Sequence, residues 1–176
     1  DKLGQLRLSG VKEGLKEQMA NPKYCDLSFE ERLGLLIDYE LTLRSDRRLK
    51  RRLKQARFRE RANIADLDMS PKRGIERKFI LSLTQCDWIR EHLNIIITGA
   101  TGVGKTYLGC ALGRSACEHG FSTRYFKTSR LLNDIECCHA DGSWGKFLDQ
   151  LARTQLLILD DWFRDSLNTK QIRNLL

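Results

Sequence analysis

The chain has 176 residues, 41% hydrophobic and 31% charged, which is typical of a globular protein with one good core, alone or with a helical appendage. No apolar run approaches the roughly 20 residues that span a bilayer, and no signal-peptide pattern is present. We therefore expect a cytosolic protein without a membrane partner.

The net charge of +8 is unevenly placed along the chain. Residues 1–65 hold 16 Lys and Arg against 10 Asp and Glu, whereas residues 66–176 hold 15 against 13. The excess in the N-terminal third favours an acidic polymer as partner, with nucleic acid ahead of an anionic membrane surface. Six cysteines and three histidines show no metal-binding spacing, so we expect reduced cysteines, with Cys110 and Cys117 sharing one buried helix face.

Residues 1–62 are predicted to be helical. Apolar residues at three- and four-residue steps line the first helix: Leu8, Val11, Leu15 and Met19. Asn21-Pro22 ends that helix, and the sequence SFEE at 28–31 is a capping box that begins the next. The second helix carries its apolar residues on one side: Phe29, Leu33, Leu36, Ile37 and Leu41.

The stretch RSDRRLKRRLKQARFRER, residues 44–61, is the most basic part of the chain, with ten Lys or Arg against two acids. At about 100° per residue, its apolar positions fall opposite those of the preceding helical segment. We expect either a helix break near Ser45 or a second half that leaves the packing surface of the first.

This basic run is either a solvated helix face or a surface for a polyanion. Like charges of this density repel each other, which favours the polyanion. Phe58 is the single aromatic residue in the run, which favours contact with the backbone of duplex DNA over stacking on single strands. The predicted DNA contacts are Arg47, Arg48, Lys50, Arg51, Arg52, Lys54 and Arg57.

A linker over residues 63–74, containing Pro71 and Gly74, is predicted to precede a core domain at 75–176. A helix over 75–92 would bury Ile75, Phe79 and Leu83. Helices and strands then alternate, which predicts βαβ units and a parallel sheet. The predicted elements are a buried strand at 94–99, a helix at 104–118 ended by Gly120, a strand at 122–128, helices begun by Ser129 and Ser143, and a strand at 155–161.

The sequence GATGVGKT matches the phosphate-binding pattern G-x-x-x-x-G-K-[ST] in full, between a predicted strand and a predicted helix. Its glycines allow backbone amides to surround a phosphate chain at a helix N-terminus. Lys105 would reach the β- and γ-phosphates, and the Thr106 hydroxyl would bind Mg²⁺. The predicted nucleotide contacts are Gly99, Ala100, Thr101, Gly102, Val103, Gly104, Lys105 and Thr106.

Two acids end the predicted strand LLILDD, at the sheet edge where ligands bind in α/β proteins. Asp160 is expected to hold the Mg²⁺ shell together with Thr106, and Asp161 to polarise the attacking water. With Lys105, these acids form the predicted catalytic set. The two motifs together predict Mg²⁺-dependent ATP binding and hydrolysis.

These motifs and their surroundings resemble the IstB family of transposition helper ATPases, within the wider DnaC-like AAA+ ATPases. The resemblance rests on NIIITGATGVGKTYLGCALGRSACEHGFSTRYFKTSRLLNDI, on HADGSWGKFLDQLARTQLLILDDW, and on the upstream LTLRSDRRLKRRLKQARF and ADLDMSPKRGIERKFILSL. It implies an α/β P-loop AAA+ core after a small basic helical domain. It also implies ATP-dependent assembly of a homo-oligomer, a ring or a helix, on duplex DNA in the bacterial cytosol, in the service of a transposase. Ile64–Asp68 would then lie near the adenine.

The chain departs from the family pattern in two respects. Phe163 stands where the family usually has glycine, and the sequence reaches Leu176 before further strands, a sensor residue, an arginine for the neighbouring subunit and a helical lid. A three-stranded parallel sheet with an unprotected edge is a poor free-standing domain, so we expect the chain to be a portion of a longer protein.

Two other functions remain open at this point. A helicase-loader-like chaperone would use its N-terminal helices to grip a protein, which requires a wider apolar face than Leu49, Leu53 and Ala56 provide. A small-molecule P-loop kinase is disfavoured, because the tandem acids suit water activation and the basic extension would have no role.

Overall fold

The computed structural model describes residues 2–70 and 74–162. By their contacts they form two compact units, which divide between Arg51 and Arg52. The division precedes the boundary predicted at residue 62, because residues shortly after Arg52 pack into the second unit. Each unit is described by itself.

The first unit is built from helices α1 (Lys2–Gln5), α2 (Ser9–Ala20) and the larger part of α3 (Phe29–Ala56), with a 3₁₀ turn at Pro22–Tyr24. The predicted stop at Asn21-Pro22 is confirmed. The capping box is confirmed as well, because the Ser28 amide donates to Glu31 Oε2 at 2.8 Å and the Glu31 amide donates to Ser28 Oγ at 3.3 Å.

Helix α2 packs on α3 through small residues rather than through the predicted apolar face. Gly10 and Gly14 are buried, and a Cβ added at Gly10 would lie 2.7 Å from Glu40 Cα. A Cβ at Gly14 would lie 2.9 Å from Leu36 Cδ2. Met19, predicted to face inward, is 78% exposed. The close approach of two backbones therefore selects glycine at the contact and leaves the larger side chains beside it.

Helix α3 is continuous through Ser45, so the predicted alternative of a break is wrong. Leu36 and Glu40 are buried in its first part, and Ala56 is buried at its end. At about 100° per residue, Ala56 lies roughly 160° around the helix from both, so the buried face changes sides as predicted. Contrary to prediction, four apolar residues of the first part are exposed: Phe29, Leu33, Ile37 and Leu41.

In the second unit, α6 (Lys105–Glu118) packs on a parallel pair of strands, β1 (Thr123–Lys127) and β2 (Leu156–Asp160). Helices α7 (Thr128–Ala140) and α8 (Trp144–Ala152) lie between the strands in the chain, and Gly120 adopts a φ of 99° after α6, as predicted. Ser143 precedes α8 as predicted, whereas Ser129 lies inside α7, which begins one residue earlier.

The core of this unit contains Cys110 and Cys117, at 1% and 0% exposure, so the predicted shared buried face on α6 is confirmed. Both are free thiols, and burial raises their pKa above the ordinary value. Ala62 packs against Cys110 and Ala111, with Ile64 beside them, so the end of the predicted helical domain and the start of the predicted linker both belong to this core.

The helix predicted over 75–92 is two short helices, α4 (Arg77–Leu83) and α5 (Asp87–Arg90). Cys86 between them has a φ of 63°, in the left-handed region, which an uninterrupted helix does not allow. The buried residues are Ile80 and Ile89, while Phe79, predicted to be buried, is 58% exposed.

The strand predicted at 94–99 is not formed: these residues have no regular secondary structure, and Ile96 is 85% exposed. A strand depends on hydrogen bonds to a neighbouring strand. Within the described residues, β1 and β2 pair with each other and neither pairs with this segment. The run of β-branched residues supplies strand propensity without a partner, and propensity alone does not form a strand.

Across the described parts of the chain, none of the helices combines the length and the apolar character required to cross a bilayer.

Candidate nucleotide-binding site

The predicted phosphate-binding loop has the backbone conformation that its glycines allow. Gly99, Gly102 and Gly104 have φ angles of 152°, 83° and 93°, a region that side chains with a Cβ disfavour. Gly104 directly precedes α6, and no side chain among the described residues caps the first turn of that helix. The first-turn amides are therefore available to an anion, with the positive end of the helix dipole behind them.

Lys105 lies at the start of α6 and folds back over the loop. Its Nζ donates to the carbonyl oxygens of Gly99 and Ala100 at 2.9 and 2.8 Å. The ammonium group is thus held at the mouth of the loop.

The two predicted motifs meet at one pair of side chains. Thr106 Oγ1 donates to the carboxylate of Asp160, at 2.9 Å from Oδ2 and 3.1 Å from Oδ1. These residues are 54 positions apart in the chain. A cavity of about 960 Å³ is lined by both of them, by Lys105 and by Asp161. Such a volume is within the usual range of small-molecule sites.

The approach of α6 to β2 explains this meeting. A Cβ added at Gly113 would lie 2.6 Å from Ile158 Cδ1 and 2.6 Å from Phe58 Cε1, and one at Gly109 would lie 3.8 Å from Ile158 Cγ2. Glycine on this face lets the helix pack closely on the strand. Its N-terminal residue Thr106 then reaches Asp160 at the carboxyl end of β2.

Two further side chains contact Asp160 that sequence reasoning missed. Tyr125 Oη donates to Asp160 Oδ2 at 2.6 Å, and Arg59 Nη1 lies 3.9 Å from the same oxygen. The only signal for Tyr125 was a tyrosine in the strand expected beside LLILDD, and for Arg59 its place at the end of the basic run.

These contacts set the protonation of the site. Burial by itself raises the pKa of Asp160, but hydrogen bonds from Tyr125 and Thr106 outweigh it and hold the pKa below its ordinary value. Burial and the hydrogen bond to Asp160 both raise the pKa of Tyr125. At neutral pH, Asp160 is therefore an anion and Tyr125 a protonated donor.

Asp161 follows the strand in the left-handed region, with a φ of 55°. Lys127 Nζ, at the end of β1, lies 3.3 Å from its Oδ2. Asp160 and Asp161 thus have different surroundings: Asp160 accepts from Thr106 on α6 and from Tyr125 on β1, whereas Asp161 lies beside Lys127.

The remaining predicted site residues lie elsewhere. Residues 64–66 form a 3₁₀ turn that is tied to α6, because the Asn63 amide donates to Tyr107 Oη at 3.3 Å and Tyr107 Oη donates to the Asn63 carbonyl at 3.3 Å. The proximity of Ile64–Asp68 to adenine stays a prediction. Phe163 lies outside the described residues.

The predicted DNA-contacting residues lie on α3 and directly after it. Arg52 is half-buried, and the others are exposed: Arg47, Arg48, Lys50, Arg51, Lys54 and Arg57. Arg47 Nη1 donates to Ser9 Oγ at 2.8 Å. Within the described part of the chain, no carboxylate forms an ion pair with the other exposed members of this set.

Comparison with known proteins then identifies the family. The model of the IstB-like ATP binding protein family matches residues 1–176. The chain belongs to this family. The fold class predicted from the sequence, an α/β P-loop core with parallel strands after a helical N-terminal region, is confirmed.

Relatives of this IstB-like chain are named for ATP binding and for insertion sequences. A protein of insertion sequence IS1162 from Pseudomonas fluorescens is 48% identical over 161 residues, which cover 91% of this chain and 70% of the relative. One from Sinorhizobium fredii is 38% identical over 176 residues, covering all of this chain and 72% of the relative. One from Mycobacterium tuberculosis is 33% identical over 160 residues, covering 91% and 64%.

The residues of this IstB-like site fit a nucleotide with Mg²⁺. The loop offers amides and an ammonium group, which suit phosphate oxygens. Thr106 and Asp160 offer a hydroxyl and an ionised carboxylate in contact with each other, the hard oxygen donors that Mg²⁺ prefers.

Proposed function

We propose that this protein is an ATPase that binds duplex DNA under the control of ATP and assists a transposase. The hydrogen bond between Thr106 and Asp160 is the main support for ATPase activity, because it joins the phosphate-binding loop to an acidic strand end across 54 residues of sequence. The relatives' association with insertion sequences supports the proposed assistance to a transposase.

Each residue of the site has a distinct task in this proposal. The amides of residues 99–104 and the Lys105 ammonium bind the phosphate chain. Thr106 and Asp160 hold Mg²⁺, which when bound neutralises charge on the phosphates. Asp161 orients the attacking water and accepts its proton, and Lys127 Nζ lies 3.3 Å from its Oδ2.

The exposed cations of α3 supply the proposed DNA surface. Arg47, Arg51 and Lys54 lie on one side of the helix, opposite the half-buried Leu53 and the buried Ala56. Lys50 and Arg48 flank this row, and neither has a carboxylate partner among the residues that the structure describes. Such a row neutralises phosphates irrespective of base sequence.

Assembly would multiply this contact. One row of cations binds DNA weakly at physiological salt, whereas several subunits on one duplex bind with the effective concentration that linkage provides. We propose that ATP promotes this homo-oligomer, a ring or a helix, and that a cognate transposase recognises the assembled form.

The test is binding to random-sequence duplex DNA across a salt series, with a non-hydrolysable ATP analogue, with ADP, and without nucleotide. We expect binding only with the ATP analogue, and a steep loss with salt. The Lys105→Ala variant should lose nucleotide binding and with it DNA binding, whereas Lys146→Ala, an exposed lysine on α8, should keep both. DNA binding that is equal in all nucleotide states, or missing in all, contradicts the proposal.

A second candidate is a chaperone that grips a protein partner, such as a helicase loader. One observation favours it: Phe29, Leu33, Ile37 and Leu41 recur every four residues on α3 and are 73%, 42%, 48% and 60% exposed. This row lies on the first part of α3, apart from the narrow stripe of Leu49, Leu53 and Ala56, and exposed apolar rows of this kind bind other proteins.

Substituting Leu33 and Ile37 by serine separates the two candidates. The ATPase-on-DNA function predicts that this variant retains ATP-dependent DNA binding. If the variant loses binding to a partner protein and keeps its DNA binding, the apolar row binds a protein. The ATPase-on-DNA function additionally requires that the wild-type protein binds DNA.

A further inference from the structure

We propose that Tyr125 is a positioning residue for the Mg²⁺ site, whose hydroxyl holds the Asp160 carboxylate in the orientation in which it binds the metal shell. This inference rests on the proposed function, in which Thr106 and Asp160 hold Mg²⁺. It extends that function by a residue outside both sequence motifs.

Strand register brings Tyr125 to this carboxylate. Tyr125 pairs with Ile158 in the parallel ladder, and Asp160 follows Ile158 by two residues. Side chains two apart on a strand share a face, so Tyr125, Ile158 and Asp160 lie on the same side of the sheet. That side is the one that α6 covers, because Gly109 and Gly113 approach Ile158.

The tyrosine ring is fixed by packing, which makes its hydroxyl a firm donor. The ring packs against the buried cluster of Ala62, Cys110 and Ala111 and is itself only partly exposed. Its Oη lies 2.6 Å from Asp160 Oδ2. A donor on a rigid, packed ring restricts rotation of the carboxylate more than a donor on a flexible side chain does.

The two hydrogen-bond donors to Asp160 have different proposed roles. Thr106 donates near both carboxylate oxygens and belongs to the expected metal shell itself. Tyr125 contacts Oδ2 alone, from the strand side. Without Tyr125, the carboxylate can rotate about its Cβ–Cγ bond, and Arg59, 3.9 Å away, can draw it out of the site. Partners of this kind, behind a metal ligand, typically contribute about 10- to 100-fold to metal affinity.

The experiment measures binding of a fluorescent, non-hydrolysable ATP analogue in EDTA and through a Mg²⁺ titration. We expect Tyr125→Phe to bind the analogue in EDTA as wild type does and to need roughly tenfold more Mg²⁺ for half of the Mg²⁺-dependent increase. Tyr107→Phe is the matched control: it removes a hydroxyl from the same unit that contacts Asn63 instead of Asp160, and should leave the Mg²⁺ requirement unchanged.

Three results would overturn the positioning role of Tyr125. An unchanged Mg²⁺ requirement in Tyr125→Phe overturns the positioning role while leaving the proposed Mg²⁺ site intact. Equal weakening in EDTA and in Mg²⁺ also overturns it, because the tyrosine then merely supports the fold. A wild-type protein whose analogue binding ignores Mg²⁺ contradicts both the proposed function and this inference.

Discussion

At the scale of single residues, the site depends on how two adjacent aspartates are surrounded. Asp160 accepts hydrogen bonds from Thr106 and Tyr125, which together lower its pKa despite burial. Asp161 turns away into the left-handed region and lies beside Lys127. Identical side chains in consecutive positions thus take different environments, and we assign them different tasks.

The first prediction separates those tasks. Asp161→Asn keeps the size of the side chain and removes its capacity to accept a proton, so ATP binding should stay within about twofold of wild type while ATP turnover falls by 100-fold or more, on the order of general-base contributions of 10²–10⁴. Binding is measured with a fluorescent nucleotide and turnover by phosphate release.

Because turnover in Asp161→Asn is slow, DNA complexes formed with ATP should persist. Asp160→Asn should instead weaken the Mg²⁺-dependent part of binding. Normal turnover in Asp161→Asn would show that this residue is not the base.

At the scale of elements, α2 and α3 are held together by a contact in which glycine is required. A Cβ at Gly10 would lie 2.7 Å from the Glu40 backbone, which cannot move aside, whereas a Cβ at Gly34 would meet nothing within 4 Å. The same substitution should therefore have opposite effects at the two positions.

We expect Gly10→Ala to destabilise the first unit by about 1–3 kcal/mol through overpacking. Gly34→Ala, inside α3, should stabilise it by about 0.5–1 kcal/mol through helix propensity. Hydrogen exchange of the α2 and α3 amides measures both changes in the intact chain, without interference from the second unit. A neutral Gly10→Ala would mean that α2 lies farther from α3 than the structure places it.

The Glu40 carboxylate adds an ion pair and hydrogen bonds to the contact between α2 and α3. Its carboxylate accepts from Arg44 Nε at 2.6 Å and from the amides of Gly10 and Val11 at 2.5 and 3.2 Å, at the N-terminus of α2. The hydrogen bond from Arg44 lowers the pKa of Glu40; burial opposes this, and the two amides reinforce it.

A pH dependence follows. A carboxyl group with a depressed pKa stabilises the fold at pH values above its unfolded pKa, here about 4.5, and that contribution is lost as the pH falls through the folded pKa. Protection of α2 amides should therefore fall below about pH 4.5 in wild type. Glu40→Gln should be less protected at neutral pH and should lose most of this acid dependence. Glu30→Gln, an exposed position on the same helix, should retain it.

Local chemistry explains which parts of this fold the sequence could predict. The loop, Lys105, Thr106 and the strand ending at Asp160 are encoded in short consecutive stretches, and the structure has the loop before α6, the strand Leu156–Asp160, and a hydrogen bond from Thr106 to Asp160. The α2 contact was mispredicted because burial there selects Gly10 and Gly14, which carry no hydrophobic signal. The segment 94–99 was mispredicted because its apolar pattern reports propensity, whereas a strand depends on a partner. Tyr125 was missed because its contact depends on the register between two strands that α7 and α8 separate in sequence.

At the scale of the whole molecule, charge and chemistry are separated along the chain. The N-terminal 65 residues carry most of the positive excess, while the proposed nucleotide-binding residues begin at Gly99. Arg59 and Glu60, near the end of the basic run, line the cavity, and Arg59 Nη1 lies 3.9 Å from Asp160 Oδ2. We therefore propose that ATP controls DNA binding mainly through assembly of subunits, because the cations on α3 are not among the residues that line the cavity.

The final prediction tests whether those cations contact phosphates. Arg51 and Lys54 are exposed and, within the residues described, have no carboxylate partner, so replacing both by glutamine removes two charges without breaking an ion pair. Each phosphate contact contributes about one unit to the slope of log affinity against log salt concentration. The double variant should therefore bind DNA more weakly, with a slope about two units shallower for each subunit bound, and should lose affinity equally for all duplex sequences.

The control is the double variant Lys16→Gln and Lys146→Gln, which changes the net charge by the same amount at exposed positions on α2 and α8. If both double variants reduce the slope equally, DNA responds to net charge alone, and the row on α3 is a solvated helix face.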